Sequence, residues 1–169
     1  MFRCVAAALS GLLLAPACLA DPVPEIRMKA AFLYNFALFT EWPDATGPLL
    51  RLCVLGQDFD AETFHEIDGQ EVNGRKLRLV QLASADDARG CQILYVGEAE
   101  RARVRRVLAE LNQAPVLTIS DDDELAKSGI MIAMHLENRK MVFSVNAESV
   151  KRSHLNLSSR LLRLARKVD

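Results

Sequence analysis

Few residues in this chain are of a type that does chemistry, and their spacing narrows them further. Four cysteines and three histidines stand among 169 residues. Cys53 and Cys91 are separated by about 38 residues, far from the C-x-x-C arrangement of a dithiol catalyst. His65, His135 and His154 show no H-E-x-x-H or other ligand spacing, so each reads as a surface or hydrogen-bonded side chain. The acidic run Ser120-Asp121-Asp122-Asp123-Glu124 has two readings. It could grip a hard cation. More commonly such a run starts a helix, with Ser or Asp at the cap and carboxylates at the positive end of the dipole. The chain has no G-x-S-x-G turn, G-x-G-x-x-G or P-loop. The expectation is a protein without catalytic, cofactor-binding or metal-binding residues, and hence no enzyme.

The first twenty residues change the meaning of the cysteines. Met1–Arg3 is a short basic start, Val5–Leu14 is an apolar run, and Pro16-Ala17-Cys18-Leu19-Ala20 puts small residues before a cut after Ala20. Residues 1–20 read as a secretory signal peptide and 21–169 as one mature domain. A competing reading, lipid attachment at Cys18, has against it that Ala15-Pro16-Ala17 lacks the large apolar residue such a site carries. Export leaves Cys53 and Cys91 alone in an oxidising compartment, where two thiols read as a disulfide. That bridge is either a plain staple or a redox switch. Lys and Arg number 21 against 22 Asp and Glu, for a net charge of −1, so nothing here marks a nucleic-acid partner.

Hydrophobic pattern and breaker residues give the framework that holds these side chains. Pro24 opens a helix from Glu25 to about Thr40 that stops before Pro43. Strands are expected at Leu49–Leu55, Leu77–Leu82, Cys91–Val96, Val116–Ile119, Ile130–Leu136 and Lys140–Val145, with a turn at Asn73-Gly74. Helices are expected at Asp60–Ile67, Glu98–Asn112, Asp121–Lys127, Ala147–Ser153 and Ser158–Lys167, with one turn over Asp86–Arg89. Short apolar strands alternating with helices predict a three-layer α/β/α sandwich. Its sheet of about six strands is mixed but mostly parallel, ending in an antiparallel hairpin. The first helix is apolar nearly all round. Phe32, Phe36 and Phe39, with Trp42 beyond, are therefore either covered by the same chain or form a partner or dimer surface. The last helix, with Arg160, Arg163, Arg166 and Lys167 beside leucines, either packs on the sheet or touches anionic lipid.

Several segments carry a resemblance. Lys29-Ala30-Ala31-Phe32-Leu33-Tyr34-Asn35-Phe36, continuing to Glu41-Trp42-Pro43, is similar to the opening of the YfiR family. So, in order, are Leu52-Cys53-Val54-Leu55-Gly56, the strand start at Cys91, Val116–Asp121, Gly129–Ile132 and Ser158–Ala165. The resemblance spans essentially all of residues 21–169. It implies a periplasmic α/β sandwich that can dimerise, needs no cofactor, and binds the periplasmic sensory domain of an inner-membrane diguanylate cyclase. Such binding holds the enzyme inactive, while an outer-membrane lipoprotein sequesters the repressor and so releases cyclic-di-GMP synthesis and biofilm formation. The family's inter-strand disulfide falls on Cys53 and Cys91; a second pair that some relatives carry nearer the C-terminus is missing here. The alternative function is a periplasmic small-ligand sensor relaying to a kinase or cyclase.

Overall fold

The structure, a computed structural model, describes residues 24–43, 47–56 and 64–169; the expected leader, 1–20, and the first half of the helix expected at Asp60–Ile67 lie outside them. Helix α1, Glu25–Leu38, comes first, followed by the short strand β1, Thr40–Glu41. Strands β2 (Leu49–Leu55), β3 (Glu71–Val72) and β4 (Arg75–Leu82) come next, then β5 (Ile93–Val96), helix α2 (Val104–Leu111) and β6 (Leu117–Ser120). The chain ends with β7 (Ile132–Glu137), β8 (Lys140–Val145), α3 (Ala147–Arg152), β9 (Asn156–Leu157), α4 (Ser159–Leu164) and β10 (Lys167–Val168).

Eight strands form one sheet in the order β10-β8-β7-β6-β5-β2-β4-β3. The β7–β8 and β3–β4 pairs are antiparallel and the others parallel, which gives the expected mixed α/β fold with its late hairpin. The sheet exceeds the six expected strands because β3 and β10 have only two residues each, too short for any hydrophobic period to announce them. A separate antiparallel pair joins β1 to β9.

Strand alternation sends side chains to two cores. Leu50, Leu52 and Val54 of β2, with Ile93 and Tyr95 of β5, pack with α1 on the first face. Cys53, Leu55, Leu94 and Val96 point to the second face, against Val104, Val107 and Leu111 of α2. The rest of the second face is covered mainly by two short pieces, the 3-10 helices Ala85–Gly90 and Asp123–Ser128. Such tight helices make poorer hydrogen bonds than an α-helix.

Several boundaries differ from the sequence expectation, among them the start of β5 at Ile93 rather than Cys91, and three of them have a visible cause. Helix α1 ends at Leu38 because Thr40 turns its hydroxyl onto the Phe36 carbonyl, 2.6 Å away, and pairs its backbone with Leu157. The helix expected over Glu98–Asn112 is a 3-10 segment to Arg103 followed by α2, which Asn112 ends in the left-handed region at φ 43°. The basic C-terminal helix stops at Leu164: Ala165 is extended, and the Arg166 and Asp169 N–H groups donate to Phe143 and Val145 of β8. Arg166 and Lys167 therefore leave the helix for the sheet edge, and the continuous basic helical stripe expected there does not form.

Cys53 and Cys91 form a disulfide with Cα atoms 5.9 Å apart, both side chains buried in the second core. It ties β2 to the turn that leads into its neighbour β5. In the chain-entropy picture, closing a loop of 38 residues stabilises by about 4 kcal/mol. Replacing both cysteines by alanine is expected to lower the melting temperature by roughly 8–16 °C for a domain this size. A scanning calorimetry shift under a few degrees would contradict the staple.

Candidate functional site

The C-terminal end of α1 opens on a surface groove of about 420 Å³. Leu38, Phe39 and Trp42 line one side, and Asn73 and Arg75 of the β3–β4 hairpin line the other, with Ser158 also at the wall. The turn between β3 and β4 explains the hairpin's reach. Asn73 and Gly74 take φ 50° and 78°, the left-handed pair that a two-residue hairpin turn needs. Asn73 Nδ2 then donates to the Leu38 carbonyl at 3.0 Å, satisfying one of the orphan acceptors at the end of α1.

The same turn places the Arg75 guanidinium over the Trp42 ring, 5.3 Å from its centroid. Trp42 is held in its turn by Nε1 donating to the Gln92 carbonyl at 3.2 Å. Arg75 is the one arginine among the described residues that is not exposed. None of the ion pairs among those residues includes it. Burial pulls its proton affinity below the ordinary guanidinium range.

The four aromatic residues singled out from sequence separate into two kinds. Phe36 is fully buried, edge-on to Phe143 at 5.0 Å and Phe32 at 5.8 Å. Trp42 is 8% exposed and belongs to the same core. Phe32 and Phe39 are only partly buried against it. The excess apolar surface of α1 is thus largely covered by this chain: β8, the β3–β4 hairpin and the β1–β9 pair close round it. Tyr34 reaches the hairpin through its hydroxyl, which donates to the Glu71 carbonyl at 2.9 Å.

The acidic run is tied up by nearby cations and backbone. Asp121 pairs with Lys29 at 2.8 Å and accepts from the Glu98 N–H at 3.0 Å. Burial works against the Lys29 charge, but hydrogen bonds and attraction from Asp121 and Glu25 outweigh it and hold the ammonium above its ordinary range. Buried Asp122 bonds Arg101 and accepts from the Glu124 N–H at 3.0 Å, the capping role. Among the described residues no three His, Cys, Asp or Glu side chains gather as metal ligands.

His65 and His154 are exposed, while His135 on β7 is half-buried with Nδ1 unpartnered, 3.6 Å from Asp123. His135 lines a second cavity of about 410 Å³ beside Ser144 and Arg166. Cations on that wall are already paired, Arg166 with Glu137 at 2.9 Å and Lys127 with Glu124 at 3.1 Å.

Sequence reasoning missed Arg75, Asn73 and Ser158 as groove residues. The Asn73-Gly74 turn was the available signal, since a tight turn fixes the direction of the strand that leaves it. These features define a disulfide-stapled α/β/α sandwich whose distinctive surface is an aromatic and arginine groove at a helix end. Residues 26–166 match the YfiR/HmsC-like family, DUF4154, and the chain belongs to it.

Among solved structures, a conserved domain protein from Vibrio cholerae O1 biovar El Tor strain N16961 superposes with a TM-score of 0.58 at 8% identity. The match covers 86% of this chain and 60% of that one, so this chain spans under two thirds of its neighbour's length and the likeness is one of fold. The ABC domain in complex with L-Trp from Streptococcus pneumonia gives a TM-score of 0.47 at 8% identity, over 71% of this chain and 55% of that one.

Truncating the two kinds of ring separates core from rim. Phe36→Ala is expected to cost about 3–5 kcal/mol in urea unfolding, the range for a buried Phe. Phe39→Ala, at the groove wall, is expected to cost less than half as much. Equal losses would mean that Phe39 is as much a core ring as Phe36.

Proposed function

We propose that this chain is an exported, periplasmic, non-enzymatic regulator. It represses an inner-membrane diguanylate cyclase by binding the enzyme's periplasmic sensory domain, which restrains cyclic-di-GMP synthesis and biofilm formation. Family membership across residues 26–166 is the observation that carries this reading. Two structural facts support it: the buried Cys53–Cys91 bridge suits an oxidising compartment, and no helix among the described residues is long and apolar enough to cross a membrane.

The docking face is the open end of α1, where Phe39 and Leu38 keep part of their surface uncovered and Trp42 backs the groove. Phe36 supports that face from the core beneath it, and Phe32 continues the apolar stripe along the helix. An aromatic and arginine surface of this kind is where interface energy concentrates. An outer-membrane lipoprotein that bound the repressor would compete it away from the cyclase, and pairing of two copies would change how many are free to dock.

Deleting the gene is expected to raise cellular cyclic-di-GMP, and restoring the full chain to bring it back to the parental level. A version starting at Asp21, without the leader, should fail to restore it. Cyclic-di-GMP that stays level on deletion, or repression by the leaderless version, would overturn the reading.

A further inference from the structure

We propose that the groove between Trp42 and Arg75 is the receptor for an acidic side chain on a partner protein, an Asp or Glu flanked by apolar residues. This rests on the reading that the chain works by docking to another protein.

Four observations lead to it. Arg75 is a half-buried guanidinium with no carboxylate within ion-pair distance among the described residues, although most other buried or half-buried charges there are matched. A part-buried cation with no carboxylate beside it among the described residues carries some desolvation cost, so an incoming carboxylate is attracted both by its own charge and by relief of that cost. Next, the guanidinium is oriented in advance. Trp42 lies beneath it, pinned by its Nε1 bond to Gln92, and the Asn73-Gly74 turn is pinned to the end of α1. A planar fork held over an indole face keeps its outward N–H groups free for a bidentate carboxylate.

The third observation is the wall composition. Leu38 and Phe39 offer apolar contact beside the cation, which selects an acidic residue with apolar neighbours over a loose anion. The fourth is enclosure. Of the residues at this groove only Thr40 and Trp42 are buried, and Glu41 and Asn73 are exposed, so the site cannot wrap a small ligand as metabolite pockets do. It suits a side chain projecting from another surface. The Glu41 carboxylate at the rim accepts from Asn156 Nδ2 at 2.9 Å and forms no ion pair with Arg75.

Trp42 is the single tryptophan of the chain, so its fluorescence reports on this groove directly. The full mature chain is titrated with capped Leu-Glu-Leu, and in parallel with capped Leu-Gln-Leu. The glutamate peptide should change Trp42 emission saturably and bind at least about tenfold more tightly than the glutamine peptide. Added salt should weaken it. Arg75→Gln should abolish the response with an unchanged circular dichroism melt, and Arg75→Lys should keep only part of it, because an ammonium cannot make the forked contact. Equal binding of the two peptides, a response that survives Arg75→Gln, or no response of Trp42 would each overturn the proposal. The titration contains no cyclase. Its failure therefore leaves the regulatory reading to the deletion experiment, and failure of that experiment leaves the groove to the titration.

Discussion

A mostly parallel sheet buried on both faces must be covered twice, and everything else in this fold depends on how unequally the two covers are made. On the first face a fourteen-residue helix, α1, buries Ala30, Leu33, Phe36 and Ala37 in one core with residues of β2, β5 and β8. On the second, α2 has eight residues and the remaining cover is built from 3-10 segments. Packing against short, poorly bonded pieces holds strands less firmly. The Cys53–Cys91 bridge sits on that weaker face, joining β2 to the end of the Ala85–Gly90 segment. Covalent linkage there substitutes for the packing that α1 provides on the opposite face.

The stronger cover has its own consequence. Because α1 must end where the sheet's first face ends, its C-terminal carbonyls need partners from outside the helix. The chain supplies them from two directions. Asn73 comes from the β3–β4 turn, and β1 runs straight into antiparallel pairing with β9, where Thr40 meets Leu157 and the Phe39 carbonyl accepts from Ser158. The capping of one helix end thus assembles, from distant stretches of sequence, a rigid rim with Trp42 and Arg75 across it. A binding surface on secondary structure pinned in this way loses little entropy when a partner arrives.

Much of this was legible in the sequence, for identifiable reasons. Apolar runs at Leu49–Leu55 and Ile130–Leu136 are strong signals because buried parallel strands need residues that suit both faces. Cys53 and Cys91 were readable as a pair once the other two cysteines were assigned to the expected leader. Two-residue strands were not, since β3 and β10 are too short to show a period and form only because a neighbour offers an edge. The end of α1 was set two residues too late, as Thr40 has no local reason to leave the helix; its reason is Leu157, 117 residues on. Arg75 was invisible for the same cause. One arginine in a chain of many gives no sign that a tryptophan 33 positions earlier lies beneath it.

The central claim is that this protein acts by contact, through the end of α1, with a cyclase's periplasmic domain. Isothermal titration calorimetry tests it most directly, with the purified mature chain and the periplasmic domain of whichever diguanylate cyclase becomes active in its absence. Saturable binding is expected, with a negative heat-capacity change from apolar burial. The heat should largely disappear when Phe39→Ala and Arg75→Gln are combined. Absence of binding, or full binding by that double variant, would contradict the claim.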